Sequence, residues 1–89
     1  MEIKIEHPSQ PEELNALGVP GWPTWQSPVC EFDWHYDSTE LAYILEGRVI
    51  VVTPQGEIEI KKGDYVTFPA GLSCKWKVLE AIKKHYKFI

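Results

Sequence analysis

The chain has 89 residues, of which 44% are hydrophobic and 25% are charged, and its formal net charge is −4. This length indicates a single domain over residues 1–89, with one modest core. The acidic balance argues against a nucleic-acid partner, because such proteins usually carry a basic stripe. No apolar run reaches the roughly 18 residues of a membrane span. Two cysteines are too few for a disulfide scaffold, so we expect a cytoplasmic protein with reduced thiols.

The N-terminal part predicts a short strand followed by a short helix. Residues 2–6 alternate between polar and apolar side chains in the manner of a strand. Ser9 and Glu12 stand three apart, which is typical of a capping box that opens a helix over about residues 10–17. Residues 19–28 carry three prolines and two tryptophans without a regular period. We expect them to form an irregular segment that crosses the surface.

From residue 29 onward the sequence indicates one short strand after another. Gly47 and Gly63 stand where tight turns need a positive φ, and Pro69 marks an edge or the end of a strand. Many short strands separated by Gly and Pro turns favour a sandwich or a barrel. The predicted strands cover residues 29–36, 40–46, 48–53, 56–61, 65–68, 73–79 and 81–88.

Basic residues are concentrated near the C-terminus. In this segment we predict a solvated strand face whose charge is balanced by acids elsewhere. His7 and His85 are likewise predicted at the surface. The lysines concerned are Lys75, Lys77, Lys83, Lys84 and Lys87.

Two spacing patterns carry a family resemblance. Glu40 is followed after six residues by Gly47, and Gly63 is followed after five residues by Pro69, with Gly71 two positions later. Both resemble the paired motifs of the cupin superfamily. The F-x-W-x-Y and ILEG runs and the KKHY tail are similar to small single-domain cupins of the ureidoglycine aminohydrolase-like group. The resemblance implies an all-β, cupin-type double-stranded β-helix (jelly-roll) barrel with one short N-terminal helix.

The resemblance also implies a metal site with two ligand positions shortly before Glu40. Two registers are open, which place either Asp33 and His35 or Trp34 and Tyr36 at these positions. Successive strand residues point to opposite faces, so only one of the two pairs faces inward. In a barrel whose interior is its core, the aromatic face turns inward. We therefore predict Trp34 and Tyr36 inside the barrel and His35 outside it.

The second motif places Cys74 where cupins usually carry a histidine. The same alternation turns Cys74 and Trp76 inward, toward Glu40. Glu40 either accepts hydrogen bonds as a structural group or acts as an acid, a base or a ligand anchor. Glu40 and Cys74 are the candidate catalytic residues, with no metal expected. In the other register His35, Glu40 and Cys74 form a three-ligand site for a divalent metal. The predicted ligand-binding residues are Trp34, Tyr36, Glu40, Cys74 and Trp76.

Three functions remain open on the sequence alone, and catalysis is not decided. The first is a cupin that binds a small molecule in an aromatic-lined barrel cavity without the usual histidine metal site. The second is a metal-dependent enzyme resembling ureidoglycine aminohydrolase, which rests on family analogy. The third is a non-catalytic structural module that forms a homodimer, with exposed Trp22 and Trp25 as interface anchors.

Overall fold

The computed structural model describes residues 2–8 and 11–89, and nearly all of its regular structure is β-strand. Ser9, the predicted capping residue, lies outside the described residues. None of the described helices is long and apolar enough to cross a membrane. In chain order the elements are β1 (Lys4–Glu6), α1 (Pro11–Leu17), a 3-10 turn (Val19–Gly21), β2 (Thr24–Ser27), β3 (Cys30–His35), β4 (Glu40–Thr53), β5 (Gly56–Lys61), β6 (Tyr65–Phe68) and β7 (Ser73–Phe88).

Two long strands, β4 and β7, organise the barrel. They pair antiparallel over their lengths, from Glu40 opposite Phe88 to Val52 opposite Lys75. The first half of β4 also pairs with β6, and its second half pairs with β5. The first half of β7 pairs with β3, and its second half pairs with β2. The outcome is two half-sheets that share β4 and β7, which confirms the predicted cupin-type barrel.

Both long strands were predicted as two separate strands each, and this prediction is wrong. Gly47 has the expected positive φ, 91°, but it lies inside β4 rather than in a turn. The pairing of β4 with β7 shifts register between Ile44 and Val49. Such bulges bend a strand without ending its ladder. The bend lets β4 run from one half-sheet into the other.

Strand β2 was not predicted, because residues 19–28 looked irregular. Thr24 to Ser27 pair with His85 to Ile82 of β7 at one edge of the sheet. Pro23 precedes this strand, so its missing N–H removes no hydrogen bond of the ladder. A strand of four residues is also too short to show a clear alternation.

The core lies between the two half-sheets and changes from aliphatic to aromatic along the barrel. Its aliphatic part comes mainly from the bulged middle of the long strands and from their neighbours. Aromatic side chains gather where β4 begins and β7 ends. The buried aliphatic residues include Ile44, Val49, Val51, Ile60, Val66, Leu72, Val78 and Ile82.

Candidate functional site

An aromatic pocket opens where the start of β4 and the end of β7 meet β2 and β3. Its volume is about 170 Å³, close to the ~150 Å³ of an apolar cavity that holds a benzene ring. Seven aromatic side chains and two charged ones form its wall. They are Trp25, Phe32, Trp34, Tyr36, Trp76, Tyr86 and Phe88, together with Glu40 and Lys84.

The two charged residues of the aromatic pocket form a buried ion pair. The Nζ atom of Lys84 donates to Oε2 of Glu40 at 2.5 Å. Only 2% of Glu40 and 6% of Lys84 is exposed. In the ladder of β4 and β7, Glu40 lies opposite Phe88 and Ile44 lies opposite Lys84, so both charged side chains project from the same face. The burial of each charge is thus offset by the other.

Aromatic rings surround the ammonium group of Lys84. Its Nζ atom lies 4.7 Å from the ring centroid of Trp76, 5.0 Å from that of Trp25 and 5.7 Å from that of Phe68. These distances are within the range of cation–π attraction. Burial lowers the pKa of Lys84, and the nearby carboxylate of Glu40 acts in the opposite direction. The lysine is therefore held in a buried site that penalises its charged form.

Two further polar groups border the ion pair. Tyr36 stacks on Phe68 with ring centroids 4.9 Å apart, and burial followed by the charge of Glu40 raises its pKa, so its phenol stays protonated. The indole N–H of Trp76 lies close enough to Tyr36 and Cys74 to oppose part of the rise that burial causes in the pKa of each. It makes no hydrogen bond of acceptable geometry, and among the described residues it is the one buried side-chain donor without a partner.

Four of the five predicted ligand-binding residues lie together in the wall of the aromatic pocket, namely Trp34, Tyr36, Glu40 and Trp76. Trp34 is 47% exposed, so it stands at the rim of the pocket rather than inside the barrel. Trp34 lies next to the end of β3, where its neighbours Asp33 and His35 are also exposed. All four remain predictions as binding residues.

Cys74 faces inward and is buried, as expected, but it is not part of the aromatic pocket. It lines a shallow depression together with Asp33, His35 and Ser73. Burial raises the pKa of the Cys74 thiol, which disfavours the reactive thiolate. Of the two candidate catalytic residues, only Glu40 lines the aromatic pocket, although Cys74 is near enough to Glu40 and Lys84 for their charges to affect the pKa of its thiol.

The alternative metal register, with His35, Glu40 and Cys74 as ligands, is not the one the structure adopts. The side chain of His35 is 54% exposed, and its Nδ1 atom lies 2.7 Å from the hydroxyl of Ser73. Within residues 2–8 and 11–89, no three His, Cys, Asp or Glu side chains are close enough together to hold a metal ion. The pocket residues do not fit the metal that the cupin motif implies, because the carboxylate of Glu40 is already paired with the ammonium of Lys84.

Lys84 was missed, because all five C-terminal lysines were assigned to a solvated face. That assignment is wrong for Lys84. The signal was available in the alternation of β7, where Lys84 shares a face with Ile82, Tyr86 and Phe88. That alternation indicates that Lys84 faces inward, but it does not identify the carboxylate that pairs with it.

The other two histidines lie away from the aromatic pocket. His7 is exposed, and its Nδ1 atom lies 2.8 Å from Oδ1 of Asp64. His85 is half-buried, and its Nδ1 atom donates to the carbonyl of Trp22 at 2.9 Å. Trp22 and Trp25, predicted to be exposed, are half-buried, and Trp25 contributes to the pocket wall.

Comparison with protein families gives a match between residues 14–86 and the EutQ-like cupin domain. The chain belongs to this family. Among solved structures, this EutQ-like cupin is similar to a DUF861 family protein from Thermotoga maritima, with 55% sequence identity and a TM-score of 0.94. The match covers 99% of this chain and 100% of that one.

More distant structures support the cupin fold. The EutQ protein of Clostridium difficile is 17% identical with a TM-score of 0.65, over 71% of this chain and 50% of that one. A DUF861 family protein of unknown function from Pseudomonas syringae is 29% identical with a TM-score of 0.64, over 71% of this chain and 28% of that one. This EutQ-like cupin thus spans half or less of both proteins. No curated protein matches it. The likeness to ureidoglycine aminohydrolase-like cupins stays a prediction, since none of these matches carries that name.

Proposed function

We propose that the chain binds a small, neutral, planar molecule that carries a carbonyl oxygen. The ring of this ligand packs in the aromatic pocket, and its oxygen accepts a hydrogen bond from Lys84. One observation carries the proposal, namely the buried pair of Lys84 and Glu40 in the wall of a pocket otherwise formed by seven aromatic side chains. Ligand sites commonly combine an apolar wall with a few polar groups that orient the ligand.

The size and the lining of the aromatic pocket favour a planar ring. A volume of about 170 Å³ accepts one ring with a short substituent. Trp34 and Phe88 are about half exposed at the rim, which leaves their faces free to pack on an incoming ring. Aromatic pairs contribute about 0.5–1.5 kcal/mol beyond the area they bury.

The charges of the pocket favour a carbonyl over a carboxylate. Lys84 has three N–H donors, and Glu40 is the hydrogen-bond acceptor that the structure assigns to them. An oxygen can therefore join Lys84 without breaking the ion pair. A carboxylate ligand would bring a second negative charge next to Glu40, which like-charge repulsion disfavours. A neutral carbonyl meets no such penalty.

The test compares two amides that differ only in the ring. Benzamide is planar, whereas cyclohexanecarboxamide carries the same carbonyl on a puckered ring. We expect benzamide to change the tryptophan fluorescence and to bind more tightly in calorimetry. Binding of neither amide at millimolar concentration would contradict the proposal, and so would equal binding of both.

Variants at the rim locate the binding. Trp34→Ala and Phe88→Ala remove half-exposed rings of the pocket, so they cost little stability. We expect each to weaken benzamide binding several-fold. Leu79→Ala is the matched control, because Leu79 is 43% exposed and lies outside the pocket wall. Unchanged binding in both rim variants would show that the ring packs elsewhere.

A further inference from the structure

We propose that Lys84 condenses with an aldehyde in the aromatic pocket to form an imine, with Glu40 as the proton carrier. The inference deepens the proposed function and rests on it, because the same pocket must first admit a planar carbonyl compound. It names the substrate class as small aromatic aldehydes. Nothing but the side chains of the pocket and the aldehyde is needed for the step.

The position of Lys84 sets it apart from the other lysines. Within residues 2–8 and 11–89 it is the one buried lysine, and it is the one lysine in the wall of the aromatic pocket. Its neighbour in sequence, Lys83, lies on the opposite face of β7 and lines a separate surface groove with Glu46. An aldehyde in the aromatic pocket therefore meets the amine of Lys84 and no other.

The contact between Lys84 and Glu40 supplies the proton transfers. Glu40 accepts a proton from the ammonium, and the free amine attacks the carbonyl carbon. A C–N bond forms while the carbonyl electron pair moves to oxygen, which takes the proton back from Glu40. The nitrogen then gives a second proton to Glu40, which passes it to the hydroxyl. The C–O bond breaks, water leaves, and the nitrogen lone pair forms the C=N bond of a protonated imine beside the Glu40 carboxylate.

The surroundings of Lys84 favour this chemistry. Burial lowers the pKa of Lys84, so the free amine is easier to reach than in water. The charged and titratable groups that act on it are Glu40 from β4 and Cys74 from β7, and Tyr36, directly after β3, lies in the same pocket wall. Glu40 and Cys74 act against the lowering. The positive imine that forms keeps the carboxylate partner and the aromatic faces that now hold the ammonium.

The experiment treats the whole chain with benzaldehyde and sodium cyanoborohydride, which reduces imines to stable benzylamines. Peptide mass spectrometry then measures the benzyl adduct at each lysine. We expect Lys84 to gain its adduct several-fold faster than Lys83. Benzamide, which cannot form an imine, should protect Lys84 and leave Lys83 unaffected. This competition needs no variant and so does not depend on a substituted chain that folds.

Two variants complete the test. Lys84→Arg keeps the charge but cannot form an imine, and Lys83→Arg is the matched control, which should leave the adduct at Lys84 unchanged. If benzamide binds but the adduct is no faster at Lys84 than at Lys83, the imine proposal is overturned and the proposed function stands. If benzamide neither binds nor protects Lys84, the proposed function fails, and the imine proposal that rests on it fails with it.

Discussion

A Cβ atom at Gly47 would collide with the carbonyl oxygen of Ala81, at the bulge in the pairing of β4 with β7. Gly47 also has a φ of 91°, which side chains other than that of glycine rarely adopt. Two independent requirements, one steric and one conformational, thus exclude a side chain at this point. Gly47, the glycine of the first cupin motif, is therefore required where β4 lies closest to the backbone of β7.

We expect Gly47→Ala to lower the free energy of unfolding by about 2–5 kcal/mol. The left-handed φ contributes roughly 1–2 kcal/mol, and displacement of the β7 backbone contributes a further ~1–3 kcal/mol. Gly63→Ala is the matched control, because Gly63 has a φ of 93° but no heavy atom near its added Cβ. Its cost should stay near 1–2 kcal/mol. Urea unfolding measures both, and equal losses would show that the contact with Ala81 carries no energy.

The ion pair of Glu40 and Lys84 should show strong coupling in a double-mutant cycle. Glu40→Gln and Lys84→Met each leave one charge buried without its partner, which costs about 3–5 kcal/mol. The double variant removes both charges and should cost much less than the two single changes added together. Thermal or urea unfolding of the four proteins gives the coupling energy.

The control for this cycle is the exposed pair of Arg48 and Glu80, whose charged atoms lie 3.4 Å apart. Exposed pairs couple by about 1 kcal/mol or less. A coupling between Glu40 and Lys84 no larger than that of the control pair would mean that water reaches the buried pair.

Tyr36 makes the stability of the barrel sensitive to alkali. Burial raises the pKa of Tyr36 in the folded chain above its ordinary value. Above about pH 10 the unfolded chain therefore binds fewer protons at this residue than the folded chain, and stability falls as pH rises. In this range the free energy of unfolding of the Tyr36→Phe variant should fall by up to about 1.4 kcal/mol less per pH unit than that of the unsubstituted chain. Urea unfolding of both proteins at about pH 9 and 11 checks this, and parallel losses would contradict it.

The two cysteines should differ in reactivity. Burial raises the pKa of Cys74, whereas Cys30 is only half-buried, with its sulfur 3.2 Å from the hydroxyl of Ser27. We expect iodoacetamide at about pH 8 to modify Cys30 first and to reach Cys74 only in denaturant. Peptide mapping measures both. Fast alkylation of Cys74 in the folded chain would restore it as a candidate nucleophile.

The barrel was predictable from the sequence because its signals are local. Glycines, the proline and alternating strands marked most elements, and the spacing from Glu40 to Gly47 identified the cupin frame. The continuity of β4 through Gly47 was not predictable in the same way. A bulge and a turn both need a glycine with positive φ, and only the partner strand decides between them.

The aromatic part of the candidate site was likewise predictable by alternation, which turned Tyr36 and Trp76 inward. The pairing of Lys84 with Glu40 was not inferred, because the two residues lie 44 positions apart and a lysine is usually solvated. The burial of Lys84 is stabilised by a carboxylate and by aromatic rings, and only the folded barrel brings these groups together. Long-range electrostatic compensation of this kind leaves little trace in local patterns.

Since β4 and β7 run through both half-sheets, neither half can open without breaking the ladder of the other. Amide hydrogens of the two long strands should therefore exchange with solvent only through global unfolding, with one common free energy of opening. A molecule that occupies the aromatic pocket at one end would slow exchange at the opposite end by the same factor. Hydrogen exchange at amides far from the aromatic pocket would thus measure whether the pocket is occupied.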